Sequence, residues 1–142
     1  MMLNETDLAW CAGVMDTMGL VKIRTLSNGT LLPLVFFHST KIEILEKLSE
    51  LAGGKVTIVN KSYVRSPCVQ HCQEPHVHIS STSGRWTISG ARALIFLSGV
   101  EPFIRVRRQE IVEVIALGSA APRKPATVEK MREMGWPIAE LK

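Results

Sequence analysis

The chain is predicted to be an α+β domain whose helices cover one face of a four-stranded antiparallel sheet. Segments with helical spacing and segments alternating with period two follow one another in the order helix, hairpin, helix, hairpin, helix, helix. Asn28-Gly29 and Gly53-Gly54 fall at boundaries where the chain must reverse or stop. At 142 residues the chain is long enough for one domain with a substantial core.

Asn4 or Thr6 is placed to cap the first helix, and Gly19 to end it. Leu8, Ala12, Met15 and Met18 share one stripe of that helix, while Trp10, Cys11 and Val14 make the opposite side apolar. A helix apolar all round is expected to be buried on both sides. Mid-helix Gly13 costs about 1 kcal/mol relative to alanine, which predicts that another backbone approaches there, and a second copy of the same helix is a natural partner. From Leu20 to Ser27, period two puts Val21, Ile23 and Thr25 on one face and Leu20, Lys22, Arg24 and Leu26 on the other. Asn28-Gly29 predicts a type I′ hairpin, with Thr30 to His38 as the returning strand.

Thr40-Lys41-Ile42-Glu43 has the form of a capping box, and Ile44, Leu45, Leu48 and Leu51 make a helical stripe that ends at Gly53-Gly54. Lys55 to Val64 alternates as a third strand. A fourth is predicted around His76 to Ile79, continuing or restarting at Arg85 to Ile88. Ser89 is placed to cap a helix through Ala91, Leu94, Ile95 and Leu97, which Gly99 and Pro102 break, and a further amphipathic helix is predicted from Phe103 to Leu117. Beyond Gly118 the chain reads as a linker, followed by a short charged helix over Thr127 to Met134 that Gly135 and Pro137 stop.

Lys and Arg number 17 against 13 Asp and Glu, a net charge of +4, which suits a polyanionic partner but is also ordinary. The longest strongly apolar run, Leu31 to Phe37, is well short of the roughly 20 residues of a membrane span. The sequence does not open on a charged stretch followed by a hydrophobic signal core. The expectation is a soluble, cytoplasmic protein with no membrane partner. Three cysteines cannot all pair, and Cys11 lies inside the apolar helix, so a disulfide scaffold is not expected. An aromatic content of 6% argues against a base-stacking single-strand binder.

Cys11-Ala12-Gly13-Val14-Met15-Asp16-Thr17-Met18-Gly19 resembles the LAGLIDADG motif of homing endonucleases and their domesticated DNA-binding relatives, with Ala12, Gly13, Asp16 and Gly19 matching by identity. The runs Gly84 to Ala93 and Pro102 to Gln109 also look like that family, so the resemblance covers roughly residues 5 to 117. It implies a LAGLIDADG homing-endonuclease-like domain (αββαββα) over residues 1–118, with 119–142 as linker and short C-terminal helix. It further implies a homodimer in which the motif helices meet through Ala12, Gly13 and Asp16, and a sheet lying in the major groove of double-stranded DNA. Two-stranded ribbons fit that groove. The DNA contacts so implied are Lys22, Arg24, Lys55, Thr57, Lys61 and Arg85 on the strands, with Arg105, Arg107 and Arg108 beyond Pro102. Arginine reads guanine bidentately, and lysine adds salt-dependent phosphate affinity.

Two departures bear on chemistry. The eighth motif position, where the family carries the acid that binds the catalytic metal, is Met18, and a thioether is a weak, uncharged acceptor where Mg²⁺ takes oxygen. The polar residue that the family often places at the end of strand two aligns with Phe37, with His38 as a substitute. If cleavage survived, Mg²⁺ would be the cofactor and Asp16, Glu101 and Arg107 the residues to carry it. A second cofactor expectation is zinc: Cys68, Cys72, His76 and His78, with His71 in reserve, supply tetrahedral S and N donors at a spacing outside the standard finger patterns.

The expected function is sequence-specific binding of a pseudo-palindromic duplex by a homodimer that no longer cuts, acting as a repressor or site competitor in the cytoplasm, associated with DNA. The alternative is an active metal-dependent homing endonuclease. A protein-interaction module with a basic face is a third reading, which a weak salt dependence of duplex binding would favour.

Overall fold

The computed structural model describes residues 3–65, 77–118 and 125–138, with 61–65 and 77–81 described at the level of the backbone. The chain runs α1 (Glu5–Met18), β1 (Gly19–Thr25), β2 (Leu31–Ser39), α2 (Ile42–Ala52), β3 (Lys55–Arg65), β4 (Val77–Ser89), α3 (Gly90–Val100), a 3-10 turn (Glu101–Phe103), α4 (Arg108–Gly118) and α5 (Pro125–Glu133). The strands make one antiparallel sheet in the order β1-β2-β4-β3. The architecture is therefore the predicted α+β one, with the two hairpins joined through β2 and β4 at the centre of the sheet.

Asn4 starts α1 with a reciprocal capping box: its Oδ1 accepts the Asp7 N–H at 2.9 Å, and Asp7 Oδ2 accepts the Asn4 N–H at 3.1 Å. Gly19 ends the helix in extended backbone and is at once the first residue of β1. A methyl group there would sit 2.5 Å from the Phe37 ring and 2.6 Å from Met15 Sδ, so this glycine serves close packing between helix and strand. The hairpin between β1 and β2 departs from the type I′ prediction. Gly29 alone has positive φ, at 84°, and Leu26 is bonded both to Gly29 and to Thr30. This is the three-residue loop with glycine in the left-handed position, and Asn28 contributes by accepting the Thr30 N–H. The predicted capping box at α2 is also absent: Lys41 is the N-cap without a side-chain cap bond, and Ser39 Oγ accepts the Lys41 N–H instead.

Pairing of Gly19 with Phe37, Val21 with Val35, Phe37 with Trp86 and Val35 with Ile88 puts these side chains on one face, under the helices. All are buried, and from Phe37 an aromatic ladder runs through Trp86 and Phe96 to Trp136 at centroid spacings of 5.4, 5.3 and 5.3 Å. The C-terminal segment thus shares the main core: Met131 is fully buried, and Trp136 lies on Gly99, where a methyl group would meet its ring at 2.8 Å. Gly99, read from sequence as a breaker, lies inside α3 and makes room for this ring.

The end of α2 shows what holds these layers in register. Its last carbonyls have no helical partner. Leu51 O accepts from Trp136 Nε1 at 2.7 Å, Ala52 O from Arg92 Nη1 at 3.3 Å and Gly53 O from Trp86 Nε1 at 2.7 Å. The tail, α3 and β4 are thereby tied to one helix terminus.

Candidate nucleic-acid interface

Among the described residues, alternation leaves the opposite face of the sheet without a helical cover. Leu20, Phe36, Thr87 and Lys55 stand in one row across all four strands. Lys22, Leu34 and Ser89 form the next row on one side, and His38, Arg85 and Thr57 the next on the other. Arg24 follows opposite Leu32. The structure therefore brings Lys22, Arg24, Lys55, Thr57 and Arg85 together on one surface. Lys61 belongs to β3 opposite Ser81 and is described there by its backbone.

Charge is segregated between the two faces of the domain. The strands contain six Lys and Arg (Lys22, Arg24, Lys55, Lys61, Arg65, Arg85) and no Asp or Glu. The helices and the 3-10 turn contain eleven Asp and Glu against five Lys and Arg. Among the described residues the ion pairs are Arg108 with Glu101 and Arg132 with Glu129, neither of which involves a strand residue. The net charge of +4 hides this, because the positive strands and the negative helices cancel and the remainder lies outside these elements.

Phe36 occupies the middle of the open face and is still only 5% exposed. Its cover is cationic: Lys22 Nζ lies 5.5 Å and Arg85 Cζ 4.4 Å from the ring centroid, reaching in from the strands on either side. His38 meets the ring edge-on at 6.4 Å. Sequence reasoning passed over Phe36, although its parity, two residues before His38 and one before buried Phe37, was the available signal. Phe37 packs on Trp86 in the core, so the position aligned with the family's polar residue points away from the open face, while His38 is exposed on it.

The foot of α1 is a second cluster. Asp16 reaches across to the segment before α4 and accepts the backbone N–H groups of Arg105 at 2.9 Å, Val106 at 3.1 Å and Arg107 at 3.1 Å. Partial desolvation raises its pKa, but the bonds from Arg105, Arg107 and Val106, with the Arg107 charge, outweigh that and hold the carboxyl below its ordinary value. This latch explains why α4 begins at Arg108 and not at Phe103 as predicted: residues 105–107 are bent around a carboxylate. Arg108, in turn, gives its Nε to Glu101 at 2.8 Å. The carboxylates of Asp16 and Glu101 are thus both engaged in holding this segment. Met18, half-buried in the last turn, and an Asp16 already accepting three amides do not form the oxygen-donor set of a Mg²⁺ site.

Of the residues expected at a protomer contact, Ala12 is fully buried within its own domain, while Gly13 is exposed, and a methyl group added there would meet nothing within 4 Å. Thr6, Ala9, Gly13 and Thr17 form the outward stripe, with Asp16 at its edge. Trp10 and Val14, on the sides of α1 expected to be buried by a second copy, are partly buried and packed against the domain's own core. Cys11 is a packing residue: burial, with Asp7 nearby and Lys47 opposing, pushes its thiol up to about 12. Cys68, Cys72, His71 and His76 of the zinc expectation lie outside the described residues, as does the side chain of His78.

Among the described residues no helix is long and apolar enough to cross a membrane. No family model and no curated protein matches the chain. Its fold is similar to that of an archaeal intron-encoded homing endonuclease complexed with DNA, with a TM-score of 0.50 and 13% identity over 92% of this chain and 80% of that one.

Proposed function

We propose that this chain binds double-stranded DNA sequence-specifically through the open face of its sheet, as a homodimer of LAGLIDADG-like domains that has lost cleavage. The observation that carries the reading is the sheet's charge: Lys22, Arg24, Lys55 and Arg85 share a face whose strands contain no carboxylate. A polyanion approaching that face meets no repulsive side chain from the strands. Lysines there hold phosphates, while Arg85 can address base edges in the major groove. Arg105, Arg107 and Arg108 would extend the contact at the foot of α1, where the Asp16 latch orders the backbone that carries them.

The dimer is proposed to form across the small outward stripe of α1, where Gly13 admits a second backbone. An isologous contact makes the target two-fold related. Loss of cleavage rests on Met18 in place of the metal-binding acid, on Phe37 turned into the core, and on Asp16 occupied by three amides. A repressor or site competitor needs nothing more than occupancy. Zinc on the Cys68–His78 segment is a separate proposal, which metal analysis of the purified protein tests.

The likeness to a homing endonuclease favours a second reading, metal-dependent cleavage of a pseudo-palindromic site. One experiment separates the two. Sites are selected from a random duplex library with Mg²⁺ present, and the recovered DNA is inspected for nicks. An intact, two-fold-related motif is expected. Cut product would establish the endonuclease, and absence of enrichment would sink DNA recognition.

A further inference from the structure

We infer that Phe36 is a positioning residue for duplex recognition, holding the Arg85 guanidinium and the Lys22 ammonium in place before DNA arrives, so that Arg85 reads a guanine. The inference rests on the DNA-binding reading and deepens it. An aromatic residue on an uncovered sheet face would ordinarily stay exposed or mark an apolar contact. Here it is 5% exposed, and cations from both neighbouring strands lie over it, at 4.4 and 5.5 Å.

Long cationic side chains lose rotamer freedom when they bind, and a site that has already restricted them loses less. A guanidinium lying on an aromatic ring is restrained without using its N–H groups, which stay available as the planar fork that matches guanine O6 and N7. No carboxylate on the strands competes for that fork. Register fixes the aim: Phe36 stands two residues from His38, the cross-strand partner of Arg85, and one row from Leu34, the partner of Lys22. The ring is thus diagonal to both cations, the arrangement in which long side chains reach across a sheet. Leu32, at the other position diagonal to Lys22, has no π-face to offer and cannot do this.

The test uses the full chain and the duplex recovered by selection. Binding of that duplex and of a random duplex is measured across a salt series for the wild type, Phe36→Leu, Phe36→Trp and Arg85→Lys, with the Arg85 Nε–Hε resonance followed by NMR. In the wild type that resonance is expected to be ring-shifted upfield. Phe36→Leu is expected to abolish the shift and to lower the preference for the selected duplex by roughly tenfold, given two cation–π contacts, with the salt slope and thermal midpoint nearly unchanged. Phe36→Trp should keep both shift and preference. Arg85→Lys keeps the charge but not the fork, so it should relax the choice of base at one guanine per half-site, which tests the inference even if Phe36→Leu fails to fold.

Loss of the ring shift with undiminished preference would overturn the proposal, as would an equal fall in binding to both duplexes. Retained guanine preference in Arg85→Lys would also overturn it. If the wild type binds neither duplex, the DNA-binding reading fails first, and this inference fails with it.

Discussion

Asp16 shows how one carboxylate can organise a functional segment without doing chemistry. It sits at the foot of α1 and gathers three backbone N–H groups from a segment about ninety residues away in sequence. Each bond to a charged acceptor is stronger than a neutral one, but the site is largely exposed, so the sum is screened. Asp16→Asn keeps the shape but removes the charge and one of the two accepting oxygens, and is expected to cost about 1 kcal/mol, read as a lower denaturation midpoint at pH 7. The sign with pH follows from the direction of the shift. A carboxyl held below its unfolded value of about 3.9 stabilises the fold above that pH and loses the contribution as pH falls through its folded value. The gap between wild type and Asp16→Asn should therefore be constant from pH 7 to 5 and close in more acidic solution. A gap that widened on acidification would contradict the latch.

At the scale of elements, α1 and the aromatic ladder make separable predictions. A methyl group at Gly13 would meet nothing within 4 Å in its own domain, so Gly13→Ala should stabilise the isolated helix by about 1 kcal/mol. If the stripe is a protomer contact, the same change should weaken self-association, and a bulkier Gly13→Leu should abolish it, both measurable by sedimentation. Equal self-association in all three proteins would remove α1 from the interface. Trp136→Ala removes a buried ring and the N–H that satisfies Leu51 O, and is expected to cost about 3–5 kcal/mol in a denaturant titration. A cost under about 1 kcal/mol would mean that the tail is an ornament.

These elements also show what local sequence could and could not reveal. The parity of Val21 and Lys22 was legible because period two is a local property, and so was the helix cap to within the choice of Asn4 or Thr6. The start of α4 was not, because Pro102 to Arg108 looks helical until a carboxylate from another element bends it. The docking of the tail was hidden for a similar reason: the partners of Trp136 are Gly99 and Phe96 on α3 and the carbonyl of Leu51 on α2, all distant in sequence. The hairpin turn failed on a finer point, since Gly29 alone supplies the positive φ and Asn28 serves through its side chain. Lys22, Arg24, Lys55, Thr57 and Arg85 could be proposed residue by residue, but that they share a carboxylate-free face is a property of strand order.

For the whole molecule, the segregation of charge is the feature that turns a fold into a functional account. A domain with basic strands and acidic helices presents opposite potentials on its two sides, and a duplex is drawn to only one of them. If Lys22, Arg24 and Lys55 of each protomer of a dimer each neutralise a phosphate while Arg85 addresses a base, log Kd should change with log salt with a slope of about 5. The most direct test compares two proteins with the same loss of charge. In one, Lys22, Arg24, Lys55 and Arg85 on the sheet are replaced by Gln; in the other, Lys41, Lys47, Lys130 and Arg132 on the helical side are replaced. The account predicts that the first loses duplex binding and most of its salt dependence while the second binds nearly as the wild type does. Equal binding by the two, or loss in the second alone, would contradict it.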